Sequence, residues 1–253
     1  MFVSDALGVN QLDHLTIGGA DTVELAAVYG TPLYVMDEEL IRKNARAFRE
    51  SIEQYYDGNG HVAFASKAFC CKEICRIMQQ EGLWLDVVSG GELYTALSAG
   101  FPAENIVFHG NNKSVEELAE ALNKNVGRIV VDHFFELELL NQLALAAGKT
   151  ADIMLRVKPG VEAHTHSYIQ TGQIDSKFGF ALETGEALEA IRQAISLPNL
   201  NLRGLHCHIG SQIFEITSFT IAARVMLGLA AQAKSQLGWE MQELNLGGGF
   251  GIK

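Results

Sequence analysis

Positive charge is what this sequence has least of. Its 19 Lys and Arg face 30 Asp and Glu, a formal charge of −11 with a pI near 5.2. That balance argues against a nucleic-acid partner, which would want a basic face. The first basic residue is Arg42, so the N-terminus lacks the positive start of a secretory signal. No apolar run is read as reaching the length of a membrane span, because the stretch from Phe134 to Ala147 is broken by Glu136, Glu138, Asn141 and Gln142. No membrane partner is therefore expected. Cysteine is scarce and bunched: Cys70, Cys71, Cys75 and Cys207 are too clustered to frame a disulfide fold. Cys70, Cys71 and Cys75 are read as helix-packing residues, and the protein as reduced and cytoplasmic. Internal repeats and low-complexity linkers are absent too. With 253 residues, 48% of them hydrophobic, the chain buries a large core as one big α/β domain or two small ones.

What is present is an alternation. Short β-branched or aromatic runs at 61–66, 83–88, 106–109, 128–132, 152–157, 203–208 and 243–247 predict strands. Helical spacing predicts helices at 38–55, 72–81, 90–99, 134–147, 183–196 and 217–236, with Asp37 as a cap and S-V-E-E at 114–117 as a capping box. Parallel βα units follow, and both a doubly wound sheet and a (β/α)₈ barrel begin this way. The chemistry favours the barrel, because the candidate residues sit at the C-terminal ends of many different strands.

Lys67 closes the run A-F-A-S-K-A-F, with Ala63 and Ala65 on its face. Small residues beneath a long amine leave room for a ring, and partial desolvation there favours Schiff-base chemistry. Taken alone, a strand-end lysine more often points to water. Gly247, Gly248 and Gly249 follow the seventh strand, where barrels hold phosphate and where glycine lets backbone N–H groups approach an anion. A flexible turn is the bland alternative. His206 and His208 lie two apart on one strand, yet no third ligand follows at metal spacing, so no metal is expected. A flat imidazole beside a cofactor ring suits His208, and Gly210 with Ser211 suits a phosphate. Arg156, inside the apolar run I-M-L-R-V, needs an acid or an anion as partner, and Asp86 and Glu92 are the carboxylates at hand. An ion pair beneath the barrel mouth is as good a reading of these three.

These residues stand in stretches that resemble one family. A-F-A-S-K-A-F, D-V-V-S-G-G-E-L, F-H-G-N-N-K-S, H-T-H-S-Y-I-Q-T-G-Q-I-D-S-K-F-G-F, L-H-C-H-I-G-S-Q-I and L-N-L-G-G-G-F-G-I span the chain from about residue 33 to its end. Their order is that of the fold-type III pyridoxal-phosphate decarboxylases, and the stretch from His164 to Phe180 resembles the diaminopimelate branch. The resemblance implies a TIM-type barrel of the alanine racemase and ornithine decarboxylase type. Residues 1–30 would be a lead segment and 31–253 a barrel that stops after strand seven, without the eighth strand and the C-terminal β-domain. A strand at T-P-L-Y-V-M-D would precede the barrel. The resemblance also implies pyridoxal 5′-phosphate as cofactor, with Lys67 holding it and His208 on its ring face. Ser211, Gly247, Gly248 and Gly249 would hold the phosphate, with Asp86, Glu92 and Arg156 in the polar cluster beside them. Decarboxylation of meso-2,6-diaminopimelate to L-lysine by a homodimer is the implied activity. Decarboxylation of ornithine, lysine or carboxynorspermidine, or a non-catalytic cofactor-binding barrel, are the alternatives.

Overall fold

The computed structural model describes residues 4–161 and 177–252. The stretch 164–176, which carries most of the diaminopimelate-like motif, lies outside the described residues. The chain divides into two compact units, one of residues 1–64 and 76–84, the other of residues 65–75 and 85–252.

The smaller unit opens with an antiparallel meander of β1 (Leu7–Val9), β2 (Leu15–Ile17) and β3 (Ala20–Asp21). The meander feeds α1 (Thr22–Tyr29), whose first turn is capped by the Asp21 carboxylate accepting from the Val23 and Glu24 N–H groups. None of these was expected from the sequence, where no sustained apolar run or helical spacing marks them. Helix α2 (Glu38–Tyr55) has the expected boundaries, and Asp37 accepts from the Leu40 N–H as predicted. Arg42 and Arg46 both reach Glu81, at 2.9 and 2.8 Å, and hold its carboxyl down at about 2, Arg46 contributing most. The strand expected at 31–37 does not form; that segment has no regular structure.

The seven expected parallel strands are all present: β4 (Ala63–Ala65), β5 (Trp84–Val87), β6 (Ile106–Phe108), β7 (Arg128–Val131), β8 (Ala151–Lys158), β10 (Leu200–His206) and β11 (Glu243–Asn245). A two-residue strand, β9 (Phe180–Ala181), adds to β8 in parallel. Across the sheet the order is β11-β10-β8-β7-β6-β5-β4, which never reverses. A doubly wound sheet starts in its middle and turns back at a switch point. An unreversed order is barrel winding, and it decides between the two folds left open by the alternation.

The helices between strands are α3 (Lys72–Gln80), α4 (Gly90–Ser98), α5 (Val115–Lys124), α6 (Phe134–Ala146), α7 (Glu186–Ser196) and α8 (Ile216–Leu237). Ser114 and Glu117 form the expected capping box at the start of α5. Fully buried Leu85, Phe108, Ile129, Leu155 and Leu205 make the strand layer apolar on both faces, as parallel sheets require. Helix α8 overturns one expectation: by length and composition it is long and apolar enough to cross a membrane. Arg224 is the single charge between Ile216 and Ala233. Its buried residues Ala222, Met226, Leu229 and Ala233 fall one to a turn, the stripe of a helix packed on a sheet.

Within the larger unit the sheet is strongly curled. Strands β7 and β11 stand three spacings apart, about 14 Å in a flat sheet, yet Arg128 on β7 grips Glu243 on β11 with Nε donating at 2.8 Å and Nη2 alongside. Asp152 on β8 adds a contact to Arg128 at 3.3 Å. At the other end of the strands, the His109 and His206 rings meet edge to face with centroids 4.5 Å apart, although β6 and β10 are again three spacings apart.

One ion pair is fully enclosed. Lys113 Nζ lies 2.7 Å from Glu136 Oε1, their side chains 1% and 3% exposed, and donates to the Gly110 and Val130 carbonyls. Glu136 Oε2 accepts from the Asp132 N–H at 2.9 Å. Burial pushes the Glu136 carboxyl up against the pull of Lys113. Lys113→Met is expected to cost about 3–5 kcal/mol in denaturant unfolding, because it strands a buried charge. Lys113→Met with Glu136→Gln keeps the acceptor for Asp132 and is expected to recover a large part of that loss.

Candidate active site at the C-terminal strand ends

Parallel strands in unbroken order bring their C-terminal ends to one side, and each end carries a polar group. Lys67 follows β4 in a single 3₁₀ turn, Ser66–Ala68, and its side chain is exposed rather than partly desolvated as expected. A turn lifts the lysine out of the strand face that would have shielded it. Asp86 lies within β5, His109 follows β6, Asp132 follows β7, Arg156 lies in β8 and His206 ends β10.

The carboxylates do not divide as the sequence suggested. Glu92 sits in the first turn of α4, where its Oε2 accepts from the Val88 N–H at 2.8 Å while its own N–H donates to Ser89 Oγ. It is engaged in starting a helix. The acid beside Arg156 is Asp132, 3.9 Å from Nε, with its other oxygen accepting from the Gly179 N–H at 3.0 Å. The Arg156 guanidinium lies over the Phe178 ring, 4.2 Å from the centroid, a stacking suited to a planar cation. Asp86 is engaged by His109, whose Nδ1 lies 3.0 Å from Oδ1.

His109 and Asp132 were not singled out from the sequence. Both end apolar runs, and the rule that drew attention to His208 and Arg156, a polar residue at the C-terminal end of a barrel strand, would have found them.

The glycine turn is built against His208. Gly247 has φ of +72°, and a Cβ there would come within 2.6 Å of the Cys207 carbonyl oxygen and 2.8 Å of His208 Nδ1. Gly249, at φ +90°, faces the Gly210 carbonyl so closely that a Cβ would overlap it. The Ile213 N–H donates to the Gly249 carbonyl at 2.9 Å, knitting the turn to the loop that bears exposed Ser211. The Gly248 N–H donates to His208 Nδ1 at 3.4 Å, which makes Nδ1 an acceptor and leaves the proton of the neutral ring on Nε2.

Burial dominates the electrostatics. It lowers His208 below its ordinary value, helped by the positive charges of Arg156 and Lys67, and it lowers His206 well below. Burial pushes the Cys207 thiol up to about 12 and Cys75 up to about 11, so these thiols are poor nucleophiles. All four cysteines are free.

The cluster suits a planar ligand bearing an anion and polar substituents. Open space surrounds the position of a Gly248 Cβ, in a turn whose neighbours have none to spare. Several buried polar atoms, Asp86 Oδ1, both His109 ring nitrogens, Asp132 Oδ1 and His206 Nδ1, have no aligned hydrogen-bond partner among the described residues. Buried polar groups are normally satisfied, so these are suited to a polar ligand. The unsatisfied polar atoms and the open glycine turn fit pyridoxal phosphate.

Histidines held neutral by burial link stability to pH. With a folded value below the unfolded one, about 6.5, the folded state binds fewer protons, so stability is present above that pH and is lost as pH falls. Melting temperature is expected to drop between about pH 7.5 and 5.5, and His206→Asn is expected to flatten the profile. Parallel profiles would count against neutral burial of His206.

Residues 38–253 match the family described as pyridoxal-dependent decarboxylase, pyridoxal binding domain. The chain is 51% identical over all its residues to a diaminopimelate decarboxylase of Bacillus methanolicus and 50% identical to that of Bacillus subtilis, spanning 58% and 57% of those proteins. It superposes with a TM-score of 0.89 and 38% identity on the diaminopimelate decarboxylase of M. jannaschii solved with L-lysine, all of this chain matching 58% of that one. The chain thus spans little more than half the length of these relatives, in the winding already seen in its own sheet. It belongs to the pyridoxal-dependent decarboxylase family, and it carries that family's pyridoxal-binding domain.

Proposed function

We propose that the protein of which this chain is the pyridoxal-binding part decarboxylates meso-2,6-diaminopimelate to L-lysine. The observation that carries the reading is geometric: the Gly248 N–H of the triple-glycine turn donates to His208, and Lys67 follows β4 at the same C-terminal end of the sheet. Identity near one half to diaminopimelate decarboxylases along the whole chain, and a relative solved with L-lysine, support the substrate. A homodimer in the cytoplasm, and a division into a lead segment of residues 1–30 and a barrel from 31 onward, complete the reading.

When bound, pyridoxal phosphate supplies the electron sink that decarboxylation requires. The chain's own residues bind and orient. Lys67 Nζ is the amine that holds the cofactor. The glycine turn and Ser211 offer N–H and O–H donors to a phosphate. His208, kept neutral by burial and fixed by the Gly248 N–H, presents a flat uncharged ring. Arg156, steadied by Asp132 and Phe178, and Asp86, steadied by His109, supply fixed charges of opposite sign nearby. Glu92 holds the start of α4, and so the segment after β5, in place.

Lys67→Ala is expected to abolish the absorbance band near the visible edge that pyridoxal phosphate gives with the wild-type protein. It should also lower lysine formation by at least about 10³-fold. A variant that keeps band and turnover would sink the assignment. Gly247→Ala places a side chain in the left-handed region at about 1–2 kcal/mol and against His208. Cofactor affinity in absorbance titrations is expected to fall about tenfold or more.

A further inference from the structure

We propose that His109 is a positioning residue, which holds the Asp86 carboxylate toward the cofactor by the close electrostatic contact of its Nδ1–H with Oδ1. The inference rests on the cofactor-binding reading above and adds to it a residue outside the predicted set.

Three observations carry it. His109 is 5% exposed, at the C-terminal end of β6, and its N–H donates to the Val87 carbonyl at 2.8 Å, so its backbone is pinned beside the strand that bears Asp86. Its Nδ1 lies 3.0 Å from Asp86 Oδ1; at that distance two lone pairs would repel, so Nδ1 carries the proton. The pair is close but not aligned as a hydrogen bond, and Nε2 has no aligned partner among the described residues either. Among the described residues the ring also meets His206 in a T-shaped contact, which needs only an aromatic surface. A position serving packing alone would be filled more stably by phenylalanine, which leaves no buried nitrogen unsatisfied. A histidine there makes sense as the donor that orients a carboxylate, with Asp86 as the group that faces the ligand.

The test separates a donor from a packing role. Asparagine places an amide N–H where Nδ1 stood, glutamine places it where Nε2 stood, and phenylalanine keeps the ring and removes both. Pyridoxal-phosphate affinity is read by absorbance titration of the full chain, alongside the melting temperature of the cofactor-free protein. His109→Phe is expected to weaken affinity about tenfold without lowering the melting temperature. His109→Asn is expected to stay within about threefold of wild type, and His109→Gln to resemble phenylalanine. In an Asp86→Asn background His109→Phe is expected to add nothing, since the two act as a unit. Wild-type affinity in His109→Phe, asparagine as poor as phenylalanine, or losses that multiply in the double variant would each overturn the proposal. Should His109→Phe fail to fold, the asparagine–glutamine contrast decides alone. A wild-type protein that binds the cofactor through Lys67 but releases no lysine would overturn the substrate reading and leave this inference standing.

Discussion

The curl of the parallel sheet is the constraint on which the rest depends, and Arg128 holding Glu243 is its clearest mark. The two residues belong to strands separated by two others, so their contact exists only if the strands wrap toward each other. Charge-assisted, two-pronged bonds are among the strongest a protein makes, and here they draw together strand ends that no ladder hydrogen bond joins. At the opposite ends the same wrapping brings His109 against His206. The site is a consequence: a flat sheet would set these side chains in a row, whereas a curled one gathers them.

Gathering polar groups in a closed space has a cost, and the structure offsets it in two ways. Where charge is fully enclosed, as with Lys113 and Glu136, it is paired and its remaining valences go to backbone carbonyls and an N–H. Where it faces the strand ends, groups stay neutral or incompletely satisfied: His206 and His208 lose their protons to burial, and His109 and Asp86 retain unaligned atoms. The first arrangement ties the segments that follow β6 and β7 together. The second leaves polar atoms for a cofactor to satisfy. Glycine completes the arrangement, because only a residue without Cβ lets the turn at 247–249 pass between Cys207, His208 and Gly210.

Local signals were easy to read and distant ones were not. Runs of apolar residues located all seven long-range strands, and Asp37 and Ser114 marked the helix starts they cap. The β1–β3 meander, α1 and β9 escaped because no sustained apolar run or helical spacing marks them, and α8 was expected as a helix but not for its length of apolar sequence. Glu92 was read as an active-site acid when its spacing from Ser89 equally marks the first turn of a helix, which is where its carboxylate is engaged.

From residues alone came the alternation of strands and helices, the lysine, the histidines, the glycine turn and the family to which they belong, because each is written in neighbouring positions. Which carboxylate meets which partner came only with the tertiary structure: Asp132 rather than Asp86 or Glu92 for Arg156, and Asp86 for His109. The unreversed strand order and the curl were expected from the placement of the chemistry and from the family resemblance, but no local pattern showed them. The physical reason is common to all of these. Such contacts join side chains dozens of residues apart across a bent sheet, and their distances follow from how far the sheet bends, a quantity that no local pattern of residues encodes.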